Sequence, residues 1–275
     1  MLLDEVVTRA SDAPLSQGDV LESASTTSTP WNRHLMVVTA DCDLAYAKHA
    51  GRITCVPLLT AEEYLLEIYF PELRKPVTER HAREFASVLY SASGRTMSEE
   101  RIVEWCLEVE HSDQVSGAFD VAEDVRQLID KSCNGIRLAN STCDSVEKAV
   151  TNLVDSQSLH SNPKATTTLR KNIAGGIRQR FTQPRGDSLF LNSIAPGYED
   201  GYFAYLRHIE QVWETDVMLR PARRLDGHRR IGALSDRFTH AVVQRFAMVF
   251  MPIGLPDTYE AVRDSFAENL EKELN

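Results

Sequence analysis

A chain of 275 residues that is 43% hydrophobic, with 40 Asp and Glu against 30 Lys and Arg, can bury a real core and repels a nucleic-acid backbone over most of its surface. No apolar run reaches the roughly 20 residues that span a bilayer, and the opening Met-Leu-Leu-Asp-Glu lacks the basic-then-apolar order of a signal peptide, so a cytoplasmic, membrane-free protein is expected. The five cysteines, Cys42, Cys55, Cys106, Cys133 and Cys143, are odd in number and form no C-x-x-C pair; free thiols are expected, with no metal and no cofactor.

Residues 1 to 60 read as β structure. Gly18-Asp19-Val20-Leu21 starts a strand, Ser23 to Asn32 is a Ser/Thr-rich loop containing Pro30, and apolar strands follow near residues 35–40 and 52–58. The link Leu44 to Gly51 is too short for a parallel crossover of a dozen or more residues, so these two strands are antiparallel neighbours. Thr60-Ala-Glu-Glu63 has the spacing of a capping box and opens a helix that Pro71 should end. Further helices are predicted over Thr78–Ser91, Ser98–Val109, Ala118–Lys131, Asp144–Val154 and Ala165–Phe181. Strand character returns in Ser188–Ile194, Gly201–Ile209 and Asp216–Arg220. A basic loop then carries Arg220, Arg223, Arg224, His228, Arg229 and Arg230. Phe238, Val242, Phe246, Val249 and Phe250 form the apolar stripe of a helix over Ser235–Met251, and a last amphipathic helix covers Asp257–Leu274.

The economical arrangement is α+β: a small, mostly antiparallel β barrel built from both chain ends, with a large helical insertion and C-terminal helices. In domain terms, residues 1–60 and 184–275 make the barrel with its C-terminal helices, and residues 61–183 make the insertion.

The order Gly18-Asp19-Val20, polar loop, Arg33-His-Leu-Met-Val-Val38, short link, Ile53-Thr-Cys-Val-Pro-Leu-Leu-Thr60 resembles the opening of the MazF/PemK family of toxin endoribonucleases. The resemblance covers the first 60 residues and implies an SH3-like barrel. Arg33 stands where the family's catalytic Arg precedes the strand and Thr60 where its catalytic Thr closes the next; His34 replaces the family's Pro. It implies a metal-independent endoribonuclease in which Arg33 supplies charge to the pentacoordinate phosphate, Thr60 a hydrogen bond, and His34 or His49 a proton relay. It also implies a prokaryotic toxin–antitoxin or antiviral defence setting.

Read from the residues alone, Thr60 is the N-cap of a helix and Arg33 flanks a strand at the surface. No complete catalytic set is visible, and barrels of this kind also serve as binding modules. The leading expectation is therefore a non-catalytic interaction or regulatory component of a prokaryotic multi-protein system, with a protein partner; the endoribonuclease is the alternative. A second alternative is Mg²⁺-dependent phosphotransfer at Asp41 and Asp43, since paired carboxylates suit a hard cation, but it requires a parallel sheet. Cys42 is a poor nucleophile between two carboxylates, which raise a thiol's pKa.

The expected binding groups are Asp41, Cys42 and Asp43 at a strand end, and Arg223, Arg224, Arg229 and Arg230 for an acidic surface or phosphates. Lys164 to Arg185 holds six basic residues and no acidic one, whereas Glu99 to Asp130 is strongly acidic. Those stretches are either two helix faces that pair with each other or, for Lys164–Arg185 and Arg220–Arg230, a nucleic-acid surface.

Overall fold

The structure, a computed structural model, describes all residues except 1–4, 11, 220–225, 252–256 and 275. Its strands come from the two ends of the chain. They are β1 Val6–Val7, β2 Asp19–Ser23, β3 His34–Val37 and β4 Arg52–Thr60, then β5 Ser188–Leu191, β6 Tyr202–Tyr205, β7 Glu210–Trp213, β8 Val217–Met218 and β9 His228–Leu234. They form one nine-stranded sheet in the order β1-β9-β2-β3-β4-β6-β5, with β7 also on β4 and β8 on β9. Every pairing is antiparallel except β8 with β9. With the helices described below, the protein is α+β.

The sheet bends around β4. That strand is nine residues long and pairs β7 along Arg52–Cys55 and β6 along Leu58–Thr60, while β3 runs along its other edge. Among the described residues the strand path ends at β1 and β5 without pairing them, so the sheet is open where the sequence predicts a closed barrel. β1 is only two residues long, and side chains occupy the gap instead. The buried Glu5 carboxylate accepts from the Ser193 N–H at 2.8 Å, and Arg245 donates to the Ser188 carbonyl at 3.0 Å. These contacts satisfy backbone groups that a strand ladder would otherwise have to serve.

Both sheet faces are covered, which is why β3 reads as an uninterrupted apolar run rather than an alternating one. On one face Val20, Met36, Val56, Leu58, Tyr202 and Leu234 cluster with Val242 of the C-terminal helix described below. On the other, Leu21, Leu35, Val37, Ile53, Cys55 and Val212 pack together.

The helices are α1 Pro30–Arg33, α2 Asp41–Ala45, α3 Ala61–Tyr64, α4 Phe70–Ser93, α5 Glu99–Glu108, α6 Asp113–Ser116, α7 Glu123–Asn140, α8 Val146–Ser158, α9 Thr166–Thr182, α10 Asp236–Val249 and α11 Asp257–Leu274. Pro71 does not stop the helix. A π-helical turn, Leu65–Tyr69, separates α3 from α4 and places Pro71 in the first turn of α4, where a missing N–H is tolerated. The helices between β4 and β5 carry apolar clusters of their own, one around Phe85, Leu89, Ile102, Ile129 and Ile136, another around Leu65, Phe70, Leu153 and Leu169. Leu59, Tyr64 and Phe203 join sheet to helices, with the Tyr64 and Phe203 rings stacked at 4.0 Å. All five cysteines are free. Among the described residues no helix is long and apolar enough to cross a membrane.

Candidate functional site

The antiparallel register sets which candidate residues can meet. Leu35 faces Pro57 across β3 and β4, so Arg33, just before β3, and Thr60, at the end of β4, reach the same rim of the sheet. Glu63 joins them. Its carboxylate pairs with Arg33 through Oε1 and accepts the Thr60 N–H at Oε2, 2.9 Å away, while the Glu63 N–H donates to Thr60 Oγ1 at 3.1 Å. This is a complete capping box for α3, so Thr60 performs the N-cap role that its spacing predicts. Arg33 is neutralised by the same carboxylate.

His34 lies beside this group, in a row that crosses three strands. Glu22 of β2 is the register partner of both His34 of β3 and Arg229 of β9. Arg229 Nε donates to Glu22 Oε2 at 2.6 Å, and the Tyr198 hydroxyl donates to Oε1 at 2.9 Å. His34 Nε2 stands 3.6 Å from the same Oε1, and its ring meets Tyr198 and Tyr202 edge-on at 5.6 and 5.8 Å. Burial raises the Glu22 pKa, but the Arg229 and Tyr198 contacts outweigh it and leave the carboxyl below its ordinary range. Burial lowers the His34 pKa, and the carboxylates of Glu22 and Glu63 recover only part of that shift. At neutral pH the rim thus holds an ionised carboxylate next to a neutral imidazole whose buried Nδ1 has no hydrogen-bond partner. Such a ring can take up a proton.

Asp41, Cys42 and Asp43 are not part of this rim. They begin α2 beyond the far end of β3, so the length of the β3–β4 hairpin separates them from Arg33 and Thr60. Asp41 Oδ1 accepts the Gln17 N–H at 2.7 Å, and Cys42 is exposed. His49 spans the turn, with Nδ1 3.0 Å from the Asp43 carbonyl and Nε2 2.9 Å from Glu214 Oε2, and those contacts, the carbonyl first, raise its pKa. The antiparallel β3–β4 pair lacks the parallel geometry that phosphotransfer at Asp41 and Asp43 requires.

The basic residues are placed differently from the sequence expectation. Arg229 and Arg230 are not in a loop; both belong to β9, because carboxylates on β2 compensate them. Arg230 is a buried tie. It donates to Asp19 Oδ2 at 3.1 Å and to the carbonyls of Ala10, Ala13 and Pro14, so it cannot serve as a binding group. Arg223 and Arg224 lie outside the described residues. In the Lys164–Arg185 stretch, Arg180 and Arg185 both pair with Glu72 of α4 rather than with the acidic Glu99–Asp130 segment. Lys164, Arg170, Lys171 and Arg178 are exposed.

Sequence reasoning missed Glu22, Tyr198 and the linking role of Glu63. Only Glu63 carried a local signal, its place in the capping box. Beside Arg185, an open cleft of about 680 Å³ is lined by Glu72, Asp187, Tyr205, Arg207 and Met248. Comparison with family models, curated proteins and solved structures returned no match.

Proposed function

We propose that the chain is a non-catalytic interaction component that docks a protein partner along the cleft at the end of α10. The apolar groups at that end carry the reading: Met248 is 59% and Met251 66% exposed, beside a cleft whose other wall is charged. Phe250, between them in the chain, is 49% exposed, and exposed apolar groups gathered in this way are characteristic of interfaces. The rim supports the same reading, because Arg33 and Arg229 are each matched by a carboxylate of the chain itself and are not poised for a substrate phosphate. A prokaryotic defence or toxin–antitoxin setting rests on the family resemblance alone. The test is affinity capture from the source cells with the natural chain and with Met248→Glu/Met251→Glu. A stoichiometric partner lost only in the variant supports docking; an identical set of captured proteins refutes it.

One observation favours the endoribonuclease reading, the neutral His34 with a free Nδ1 on the rim shared by Arg33 and Thr60. Incubation with labelled single-stranded RNA in EDTA tests it. Cleavage abolished by Arg33→Ala and by His34→Ala would establish that reading, and intact RNA dismisses it.

A further inference from the structure

His81 and Glu84 lie three residues apart on α4, and His160 follows the end of α8. The two imidazole rings are buried and stacked, their centroids 3.9 Å apart. His81 Nε2 is 3.0 Å from the Ser156 carbonyl, which can only accept, so Nε2 carries the proton and Nδ1 the lone pair. That Nδ1 is buried and has no hydrogen-bond partner. It faces Glu84 Oε2 at 4.0 Å, and His160 Nδ1 is 3.4 Å from the same oxygen. The other Glu84 oxygen is held from outside, by the Ser161 hydroxyl at 3.0 Å and Arg80 Nε at 3.3 Å. Space for the His81 ring comes from Gly135 of α7, where a Cβ would stand 2.3 Å from ring atoms.

We infer that His81, Glu84 and His160 form a binding site for a divalent transition-metal ion, zinc by its donor set, which clips the segment after α8 to α4. Two imidazole nitrogens and one carboxylate oxygen are zinc ligands, and a histidine whose second nitrogen donates to a backbone carbonyl is held in the ligating tautomer. The three ligand atoms lie within 4.8 Å of one another. Donors about 2.1 Å from a tetrahedral zinc sit roughly 3.4 Å apart, a contraction that side-chain rotation of His160, outside any helix, and of Glu84 can supply. Burial first, then His160, lowers the His81 pKa to about 4, and burial first lowers that of His160, so both rings are uncharged at neutral pH. His160 Nδ1 donates to the Glu84 carboxylate, so ligation through this nitrogen moves the ring proton to Nε2, a change of tautomer without a change of charge. Glu84 is ionised: burial raises its pKa, but Ser161 and His160 together outweigh that and keep it low.

Equilibrium dialysis of the EDTA-stripped full chain against Zn²⁺ tests the site, with Co²⁺ as a visible-absorbing substitute. The expected result is one ion per chain, Co²⁺ bands in the visible range, and a rise in Tm on adding Zn²⁺. Glu84→Gln and His160→Gln should each weaken binding by about 100-fold or more, and Ser161→Ala by about tenfold. Far-UV circular dichroism checks that each variant folds. Should His160→Gln unfold, Glu84→Gln decides, because Glu84 is only partly buried and its amide preserves the shape. No retained Zn²⁺, or retention undiminished by Glu84→Gln, would overturn the inference.

Discussion

Lowering the pH from about 8 to about 5 in the presence of EDTA should destabilise the fold through histidines that are folded in neutral form. His81 is the strongest case. Burial first, and His160 next, hold its folded pKa at about 4, against about 6.5 in the unfolded chain. A histidine with a lowered folded pKa leaves stability intact above about pH 6.5; below it the unfolded chain takes up a proton that the folded chain refuses until about pH 4. For this one group the loss is about 2 kcal/mol at pH 5 and about 3 kcal/mol once the pH is below 4. His34, His160 and His228 are also lowered, each chiefly by burial, and act with the same sign. His49 opposes them, because the Asp43 carbonyl and Glu214 raise its pKa and its contribution fades as the pH rises. Urea unfolding at both pH values, followed by far-UV circular dichroism, separates these effects when the natural chain is compared with His81→Gln, whose amide can still donate to Ser156. The natural chain should lose about 2 kcal/mol more than the variant between the two conditions. Equal losses would refute the reasoning.

Asp19→Ala strands the buried Arg230 guanidinium and should cost about 3–5 kcal/mol, read from urea midpoints; a loss near zero would mean that the backbone carbonyls alone satisfy Arg230. Thr60→Ala should cost about 1 kcal/mol through the lost cap, and Thr60→Ser should restore most of it, as measured by thermal unfolding. Gly135→Ala improves helix propensity by about 1 kcal/mol, yet it should destabilise by about 1–3 kcal/mol because the new methyl meets the His81 ring; a more stable variant would show that the ring has room to move.

What the sequence revealed was local. The capping box at Thr60 and Glu63 is a three-residue pattern, and the antiparallel β3–β4 pair follows from the length of one link. What it concealed depends on residues far apart in the chain. His228-Arg229-Arg230 resembles a polar loop until Glu22 and Asp19, some 200 positions earlier, are found beside it on β2. The helix predicted over residues 118–131 stops short of Gly135; α7 instead runs from Glu123 to Asn140, and its glycine admits a ring from α4, a contact no local pattern announces. The open sheet has the same origin. Glu5 and Arg245 reach backbone groups near β5 through side chains, and no strand pattern announces that.

The ion pairs of the sheet differ in how readily another ligand could replace one partner, and this difference separates the two functional readings. Arg230 and Asp19 are buried and tied to the backbone, so no incoming group can reach them. The Arg33–Glu63 pair is partly open to solvent, where such contacts contribute roughly 0–1 kcal/mol and yield to a competing phosphate. Glu63→Gln exposes that difference without unfolding α3, since glutamine also completes a capping box. It removes one negative charge from the rim and leaves Arg33 unmatched. If the rim receives RNA, the variant should retain a single-stranded oligonucleotide more tightly than the natural chain in filter binding with EDTA, and the gain should shrink as salt is added. If the chain acts by docking a protein at α10, neither form retains RNA, and the Met248→Glu/Met251→Glu variant still loses its partner. A salt-sensitive gain in RNA retention by Glu63→Gln would transfer the functional site from the α10 cleft to the rim.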